Sequence, residues 1–277
     1  GFVWRALACR APRVVVGSTR SKYRARRWGN RLNMVEHRNQ RRNIVGWVFA
    51  VTTLPTTATE QRLLSRGHHY VVGIDEVGKG AWAGPLVIGV AVLTNDVIQS
   101  KDPGALMGGA RDSKQLSETK REAMFDHVAA TCAGWAIGAA SHAECDELGM
   151  NAAQRLATKR ALAQLGESID LRKACAVIDG KWDFVSPHIA NVMTEVKADA
   201  SCLSVSAASV LAKVSRDRLM RDYAKDYSFW SFDTNKGYPC AKHRLALQGY
   251  GPSAIHRTSW AFMENFVPWL SGAPGAA

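Results

Sequence analysis

The sequence predicts an α/β fold, in which a mixed β-sheet carries helices on its faces. Two apolar segments, 70–75 and 85–93, follow each other through a short connection, as in an antiparallel pair. The later apolar segments alternate with segments of helical periodicity, which is typical of strands joined by helices. No internal repeat interrupts this order.

Four strands and four helices follow from the apolar pattern. The predicted strands are "YVVGID" (70–75), "PLVIGVAVL" (85–93), "GWAIGAAS" (134–141) and "ACAVIDG" (174–180). The predicted helices are 117–132, 151–165, 206–227 and 258–270. In the first helix, Ser117 is suited to the N-cap and Glu118 to the first turn, while Phe125, Val128 and Cys132 mark one face.

The positive charge is concentrated ahead of the first predicted strand. Residues 1–50 hold twelve Lys and Arg and one acid, which leaves 24 basic and 23 acidic residues after position 50. The net charge of +12 is therefore no sign of a basic folded body. We expect residues 1–55 to be a disordered basic extension and residues 56–277 to be the folded domain.

Three interpretations of residues 1–55 remain open. An Arg-rich, acid-poor segment is typical of a nucleic-acid-binding arm and of a targeting peptide. The third interpretation, which we favour, is upstream sequence without function, since Met34 could serve as an internal start.

Cysteine spacing and hydropathy indicate the cellular compartment in which we expect the protein. The six cysteines form no C-x-x-C pair and no zinc-ligand spacing, which favours reduced thiols in a cytoplasmic protein. The sequence contains no run of 18 apolar residues, so we expect no membrane partner. We further expect a monomer.

The segment "GIDEVGKGAWAGP" (73–85) admits two interpretations. Its Gly73, Gly78 and Lys79 match the phosphate loop G-x-x-x-x-G-K, but Gly80 stands where Ser or Thr would bind magnesium. Alternatively, the adjacent Asp75 and Glu76 suit a metal site.

Further carboxylates lie at the ends of predicted elements. Asp179 ends the fourth strand and Asp199 precedes a helix of small residues. Singly, Asp179 suits an Asp-Gly turn and Asp199 an N-cap. Asp75 and Glu76 point to opposite faces of a strand, so both reach one site only if the strand ends there. Four carboxylates together would repel unless cations such as Mg²⁺ compensated them.

Six segments of the sequence form a recognisable set: "GIDEVGKGAWAGP" (73–85), "DSKQLS" (112–117), "VIDG" (177–180), "KADASCLSVSAASVLAKVSRDR" (197–218), "NKGY" (235–238) and "GYGPSAIHRTSW" (249–260). Together they resemble one family, the bacterial ribonucleases HII (type 2 ribonucleases H). They occur in the order typical of the family over residues 70 to about 260.

The resemblance implies a ribonuclease H-like fold, with a mixed five-stranded sheet, flanking helices and a C-terminal helical part. Residues 56–277 would form the catalytic domain. The implied activity is endonucleolytic cleavage of RNA in RNA–DNA hybrids, and 5′ to ribonucleotides in duplex DNA, leaving 3′-hydroxyl and 5′-phosphate ends. The implied cofactors are two Mg²⁺ or Mn²⁺ ions.

The resemblance also implies site residues. The metal ligands and catalytic residues would be Asp75, Glu76, Asp179 and Asp199. The residues that read the ribose 2′-hydroxyl would be Gly78, Lys79, Gly80 and Tyr238. Ser113, Lys114, Lys213 and Arg216 are further candidates for substrate contacts, and His256 and Arg257 could be substrate-side or structural.

This sequence departs from the family pattern at several positions. Lys79 replaces the usual Arg, Ala198 a common Gly, and Trp82 a small residue, and residues 239–241 differ after Tyr238. Two rival functions share the predicted fold: another metal nuclease or transposase, and a non-catalytic hybrid-binding module.

Overall fold

The structure, a computed structural model, describes residues 54–109, 116–165 and 169–267 and two short N-terminal strands. The chain divides into two units, Gly1–Thr52 and Thr53–Ala277. In the first unit, β1 (Met34–Glu36) pairs antiparallel with β2 (Trp47–Phe49). The other residues up to 53 lie outside the described residues, so the disordered extension 1–55 stays a prediction.

The second unit is built on a mixed five-stranded sheet with the order β5-β4-β3-β6-β7. Its strands are β3 (Tyr70–Val77), β4 (Leu86–Leu93), β5 (Gly134–Ala140), β6 (Ala174–Asp179) and β7 (Asn191–Glu195). Strands β3, β4 and β5 pair antiparallel in sequence, whereas β6 runs parallel to β3 and β7 parallel to β6. The carboxyl ends of β3 and β6 therefore meet at one edge.

Within the described residues, the second unit contains helices that cover both faces of this sheet and helices that follow at its C-terminal end. They are α1 (Ala58–Leu64), α2 (Asn95–Ile98), α3 (Pro103–Leu106), α4 (Glu118–Thr131), α5 (His142–Leu148), α6 (Met150–Leu165), α7 (Ala198–Ser201), α8 (Leu203–Asp226), α9 (Phe232–Asn235), α10 (Ala241–Tyr250) and α11 (Phe262–Phe266). Helices α4 and α8 pack on one face of the sheet over a shared apolar core, and α6 packs on the other face over a second core.

Two glycines bring α8 against the strands that carry the site. A Cβ atom at Gly73 would lie 2.1 Å from the Ser204 carbonyl carbon, and one at Gly89 would lie 2.4 Å from the Ala208 oxygen. Only glycine permits this approach of helix to sheet. The first half of α8 consequently lies over β3 and β4.

A third apolar cluster joins the C-terminal helices to the end of α8. Trp82 belongs to it, since its ring stacks on Phe262 at a centroid distance of 4.3 Å. The bulky residue at position 82 is thus part of the packing of the C-terminal helical part.

The fold class predicted from the sequence is confirmed. All four predicted strands are present, and Ser117 caps α4 by accepting a hydrogen bond from the Lys120 amide at 3.3 Å. The predicted helix 258–270 is helical only over Phe262–Phe266 within the described residues. Strand β7 and helices α1–α3, α5, α7, α9 and α10 were not predicted. In the part of the chain that the structure describes, no helix is long and apolar enough to span a membrane.

Candidate active site

Asp75 and Glu76 lie inside β3, which continues to Val77. The expectation that the strand ends at this pair is wrong, and the two side chains leave the sheet on opposite faces. Asp75 is buried on the α8 side, where it interacts with Ser209. Glu76 accepts a hydrogen bond from the Gln154 side chain of α6 at 3.2 Å.

Asp179 ends β6, beside the end of β3, and Asp199 lies in α7. The Ala198 amide donates to Asp179 Oδ1 at 2.9 Å, which fastens the start of α7 to the end of β6. The N-cap of α7 is Lys197, so a capping role for Asp199 is wrong. The chain turns after Asp179 at Gly180, whose φ of 108° is a conformation that glycine adopts readily.

The four carboxylates interact electrostatically around Asp75. Burial, the largest cause, raises the pKa of the Asp75 carboxyl from 3.8 to about 7. The negative charges of Glu76, Asp199 and Asp179 act in the same direction, while the Ser209 hydrogen bond opposes them. The sheet edge therefore concentrates negative charge at a buried position, which a cation would relieve.

The donor set fits a hard divalent cation, because all four side chains offer carboxylate oxygens. Within the described residues, no three such side chains already converge closely enough to hold an ion. Two of the carboxylates have protein partners. Glu76 accepts from Gln154 and pairs with the Lys79 ammonium, both at 3.2 Å, and Asp179 accepts from the Ala198 amide.

The loop Gly78–Gly80 leads from β3 directly to the antiparallel strand β4. A phosphate loop requires a helix at this point, so the nucleotide-binding interpretation of the segment is wrong. The loop instead contacts Tyr238, 160 residues away: the Gly78 amide donates to the Tyr238 hydroxyl at 2.9 Å. The sequence-predicted loop and tyrosine are thus brought together at the same edge as the carboxylates.

Comparison with known proteins gives the same family. The family model of ribonuclease HII matches residues 72–263. The ribonuclease HII of Streptomyces avermitilis is 38% identical over 218 residues, which are 78% of this chain and 88% of that protein. That of Streptomyces griseus is 40% identical over 220 residues, with the same coverage.

The chain belongs to the ribonuclease HII family. It is thus a hydrolase of the ribonuclease H class, which acts on RNA–DNA hybrids. Among solved structures, the ribonuclease H2 of Pyrococcus horikoshii OT3 matches with a TM-score of 0.58 and 27% identity, over 74% of this chain and all of that one. A ribonuclease HIII solved with Mn²⁺, Bst-RNase HIII, shares the fold at a TM-score of 0.57 and 18% identity, over 83% of this chain and 79% of that one.

Two buried arginines lie against the backbone in and around the Gly78–Gly80 loop. Arg257 donates to the carbonyl oxygens of Gly78 at 2.7 Å and Lys79 at 2.9 Å. Arg216 is completely buried and donates to the carbonyl oxygens of Ala83 and Lys236, at 3.0 and 2.7 Å, and to that of residue 85. The expectation that Arg216 contacts a phosphate is therefore corrected, because its donors are already engaged inside the protein.

The other candidate substrate residues have different outcomes. Ser113 and Lys114 lie outside the described residues. Lys213 bonds the Asp217 carboxylate at 2.6 Å and lies 5.8 Å from the centre of the Tyr238 ring. Lys79 has a half-exposed side chain that pairs with Glu76. Both lysines remain candidates for substrate contact.

Sequence reasoning missed several residues that support the site. Gln154 and Ser209 contact the carboxylates, and His243 contacts Tyr238. Gln154 and His243 lie in segments without a recognised motif, whereas Ser209 lies in the segment 197–218 that resembles the family but was not singled out there. Their roles depend on contacts between distant segments, which residue spacing alone does not reveal.

Proposed function

We propose that this ribonuclease HII is an endonuclease that cuts RNA in RNA–DNA hybrids and cuts 5′ to single ribonucleotides in duplex DNA. Cleavage leaves a 3′-hydroxyl and a 5′-phosphate. The observation that carries the proposal is the hydrogen bond between the Gly78 amide and the Tyr238 hydroxyl beside the four carboxylates. A group able to read a 2′-hydroxyl thus adjoins a group able to hold metal ions.

Asp75, Glu76, Asp179 and Asp199 would hold two Mg²⁺ or Mn²⁺ ions. Bound there, the ions would activate water and stabilise the leaving 3′-oxygen of an in-line displacement. Asp75 is buried and interacts electrostatically with all three other carboxylates. We assign it the central position for that reason.

Tyr238 has the hydrogen-bonding capacity to detect ribose. Its hydroxyl oxygen accepts from the Gly78 amide, so its own hydrogen stays free to donate to a ribose 2′-oxygen. Deoxyribose offers no such acceptor. Gly80 supports the same function, because a Cβ there would meet no protein atom within 4 Å and the backbone is open to a close-fitting sugar.

The deciding experiment compares three labelled duplexes: all DNA, DNA with one ribonucleotide, and a long RNA–DNA hybrid. We expect Mg²⁺-dependent cleavage of the second and third, with product ends mapped 5′ to the ribonucleotide. Equal cleavage of all-DNA duplex would overturn the assignment in favour of a general metal nuclease.

The Asp75→Asn variant separates the enzyme from a non-catalytic hybrid-binding module. We expect it to lose cleavage nearly completely while it retains hybrid binding in a mobility-shift assay. Unchanged biological function in this variant would favour the binding module.

Removal of RNA primers and of misincorporated ribonucleotides during DNA replication and repair would use this activity. We place the protein in the cytoplasm as a monomer, and its partners are the hybrid and the ribonucleotide-containing duplex.

A further inference from the structure

Two histidines form a buried pair behind Tyr238. The Nε2 atoms of His243 and His256 lie 2.8 Å apart, and both side chains are almost completely buried. The rings of Trp82, Phe232 and Trp230 enclose them, with centroid distances between 5.5 and 5.9 Å. Such a pair requires a hydrogen on one of the two facing nitrogens and a lone pair on the other.

The surrounding backbone decides which nitrogen carries the hydrogen. The Ser253 amide can only donate, and it lies 2.8 Å from His256 Nδ1, which must therefore accept. The hydrogen of a neutral His256 is consequently on Nε2 and is donated to His243 Nε2. His243 then carries its hydrogen on Nδ1, which donates to the Tyr238 carbonyl oxygen at 2.9 Å.

The result is a directional chain of hydrogen bonds from Ser253 through His256 and His243 to Tyr238. The chain needs both imidazoles to be neutral. Burial lowers the pKa of both, that of His256 to about 3 with the neighbouring His243 as second cause. At neutral pH the chain has one hydrogen for each of its bonds.

Tyr238 is thereby fixed at three points. Its amide donates to the Asn235 carbonyl oxygen at 2.9 Å, its carbonyl accepts from His243, and its hydroxyl accepts from the Gly78 amide. His256 is followed by Arg257, which holds the carbonyls of the Gly78–Gly80 loop. One short segment, 253–257, therefore supports both the tyrosine and the loop.

We propose that His243 and His256 are positioning residues that set the ribose-against-deoxyribose discrimination by fixing Tyr238 relative to the Gly78–Gly80 loop. The inference rests on the proposed function of Tyr238. Its physical basis is that displacement of a contacting group by about 1 Å can cost about a hundredfold in rate. Neither histidine touches the substrate in this scheme.

Two substitutions of His243 separate positioning from packing. The amide nitrogen of Asn can occupy the place of imidazole Nδ1, whereas that of Gln can occupy the place of Nε2. Both His243→Asn and His243→Gln remove the ring and should lower stability by similar amounts. Only His243→Asn can still donate to the Tyr238 carbonyl.

The readout is kcat/KM on the duplex with one ribonucleotide, with urea unfolding measured in parallel. We expect His243→Asn to stay within about threefold of wild type and His243→Gln to lose about tenfold or more. In a Tyr238→Ala background the difference between the two should vanish. Leu247→Ala, a buried change in the same helix, controls for lost stability and should leave discrimination unchanged.

A second measurement uses the wild-type protein and does not depend on variants that fold. Long-range ¹⁵N–¹H correlation spectra should show two neutral histidines of opposite tautomer, unchanged between pH 5.5 and 8. A charged histidine, or two histidines of the same tautomer, would overturn the proposed direction of the hydrogen bonds. Equal kcat/KM of the Asn and Gln variants overturns the positioning role. Failure of wild type to distinguish ribonucleotide from all-DNA duplex would instead refute the proposed function itself.

Discussion

The two glycines of the Gly78–Lys79–Gly80 loop look equivalent in the sequence but should respond oppositely to substitution by alanine. Gly78 has φ +88°, and a Cβ there would lie 2.2 Å from Arg216 Nε and 2.7 Å from the carbonyl oxygen of residue 85. Gly80 lies outside the left-handed region, and its Cβ would meet nothing within 4 Å.

The cost at Gly78 follows from these contacts. A side chain in left-handed backbone costs about 1–2 kcal/mol. Arg216 must also move, and each charged hydrogen bond that it loses costs about 1.5–3 kcal/mol. With one such bond lost, Gly78→Ala should lower the free energy of unfolding by about 2.5–5 kcal/mol.

Gly80→Ala should leave stability within about 0.5 kcal/mol of wild type. Its effect should appear in function, because the added methyl group stands where the proposed ribose approaches. We expect kcat/KM on the single-ribonucleotide duplex to fall about tenfold or more, which corresponds to about 1.4 kcal/mol of transition-state stabilisation.

The assay is urea unfolding monitored by tryptophan fluorescence, with cleavage measured on the same preparations. Wild-type stability of Gly78→Ala would refute the tight contact between the loop and Arg216. An equal loss of stability in both variants would refute the contrast between a packed and an open glycine.

Three further predictions concern Asp75, Cys240 and Tyr238. In EDTA at pH 8, Asp75→Asn should be more stable than wild type by up to about 4 kcal/mol. The pKa of the Asp75 carboxyl is about 7 in the folded protein and ordinarily 3.8, so ionisation of this group destabilises the wild-type fold. The destabilisation builds up between about pH 4 and 7, and the difference between the two proteins should therefore be much smaller in urea unfolding at about pH 4.5. Cys240 is the N-cap of α10 and makes no side-chain capping bond, so Cys240→Ser should cap the His243 amide and raise the free energy of unfolding by about 1 kcal/mol; an unchanged urea midpoint would contradict this. Tyr238→Phe should reduce cleavage at a single ribonucleotide tenfold or more while calorimetric Mn²⁺ binding is unchanged, and full activity would exclude the hydroxyl from ribose reading.

Sequence predicted the elements with strong apolar patterns and missed those without. Strand β7, Asn191–Glu195, is a half-exposed edge strand with polar residues at both ends, so it lacks the apolar run of β6. Helix α10 follows Pro239 and begins at a cysteine that makes no capping bond, so the usual helix-start signal is absent. Packing against the third core cluster stabilises it instead.

The site was predicted unevenly for a related reason. The resemblance supplied the four carboxylates, and the structure places them at one sheet edge. Local rules for the same residues failed: β3 does not end at Asp75, and Asp199 does not cap α7. Arg216 was misassigned because residue type reveals charge but not burial. His243 and His256 meet only in the folded chain, 13 positions apart.

The departure of Lys79 from the family's usual arginine can now be interpreted physically. The loop conformation is held through its carbonyl oxygens by Arg257, and through its contact with Arg216, rather than by the side chain at position 79. The Lys79 side chain is half exposed and pairs with Glu76, an arrangement that contributes little to stability in water. A lysine there keeps a positive charge near the carboxylates and loses only the forked geometry of arginine. The loop should therefore tolerate the exchange, and the buried arginines beneath it should not.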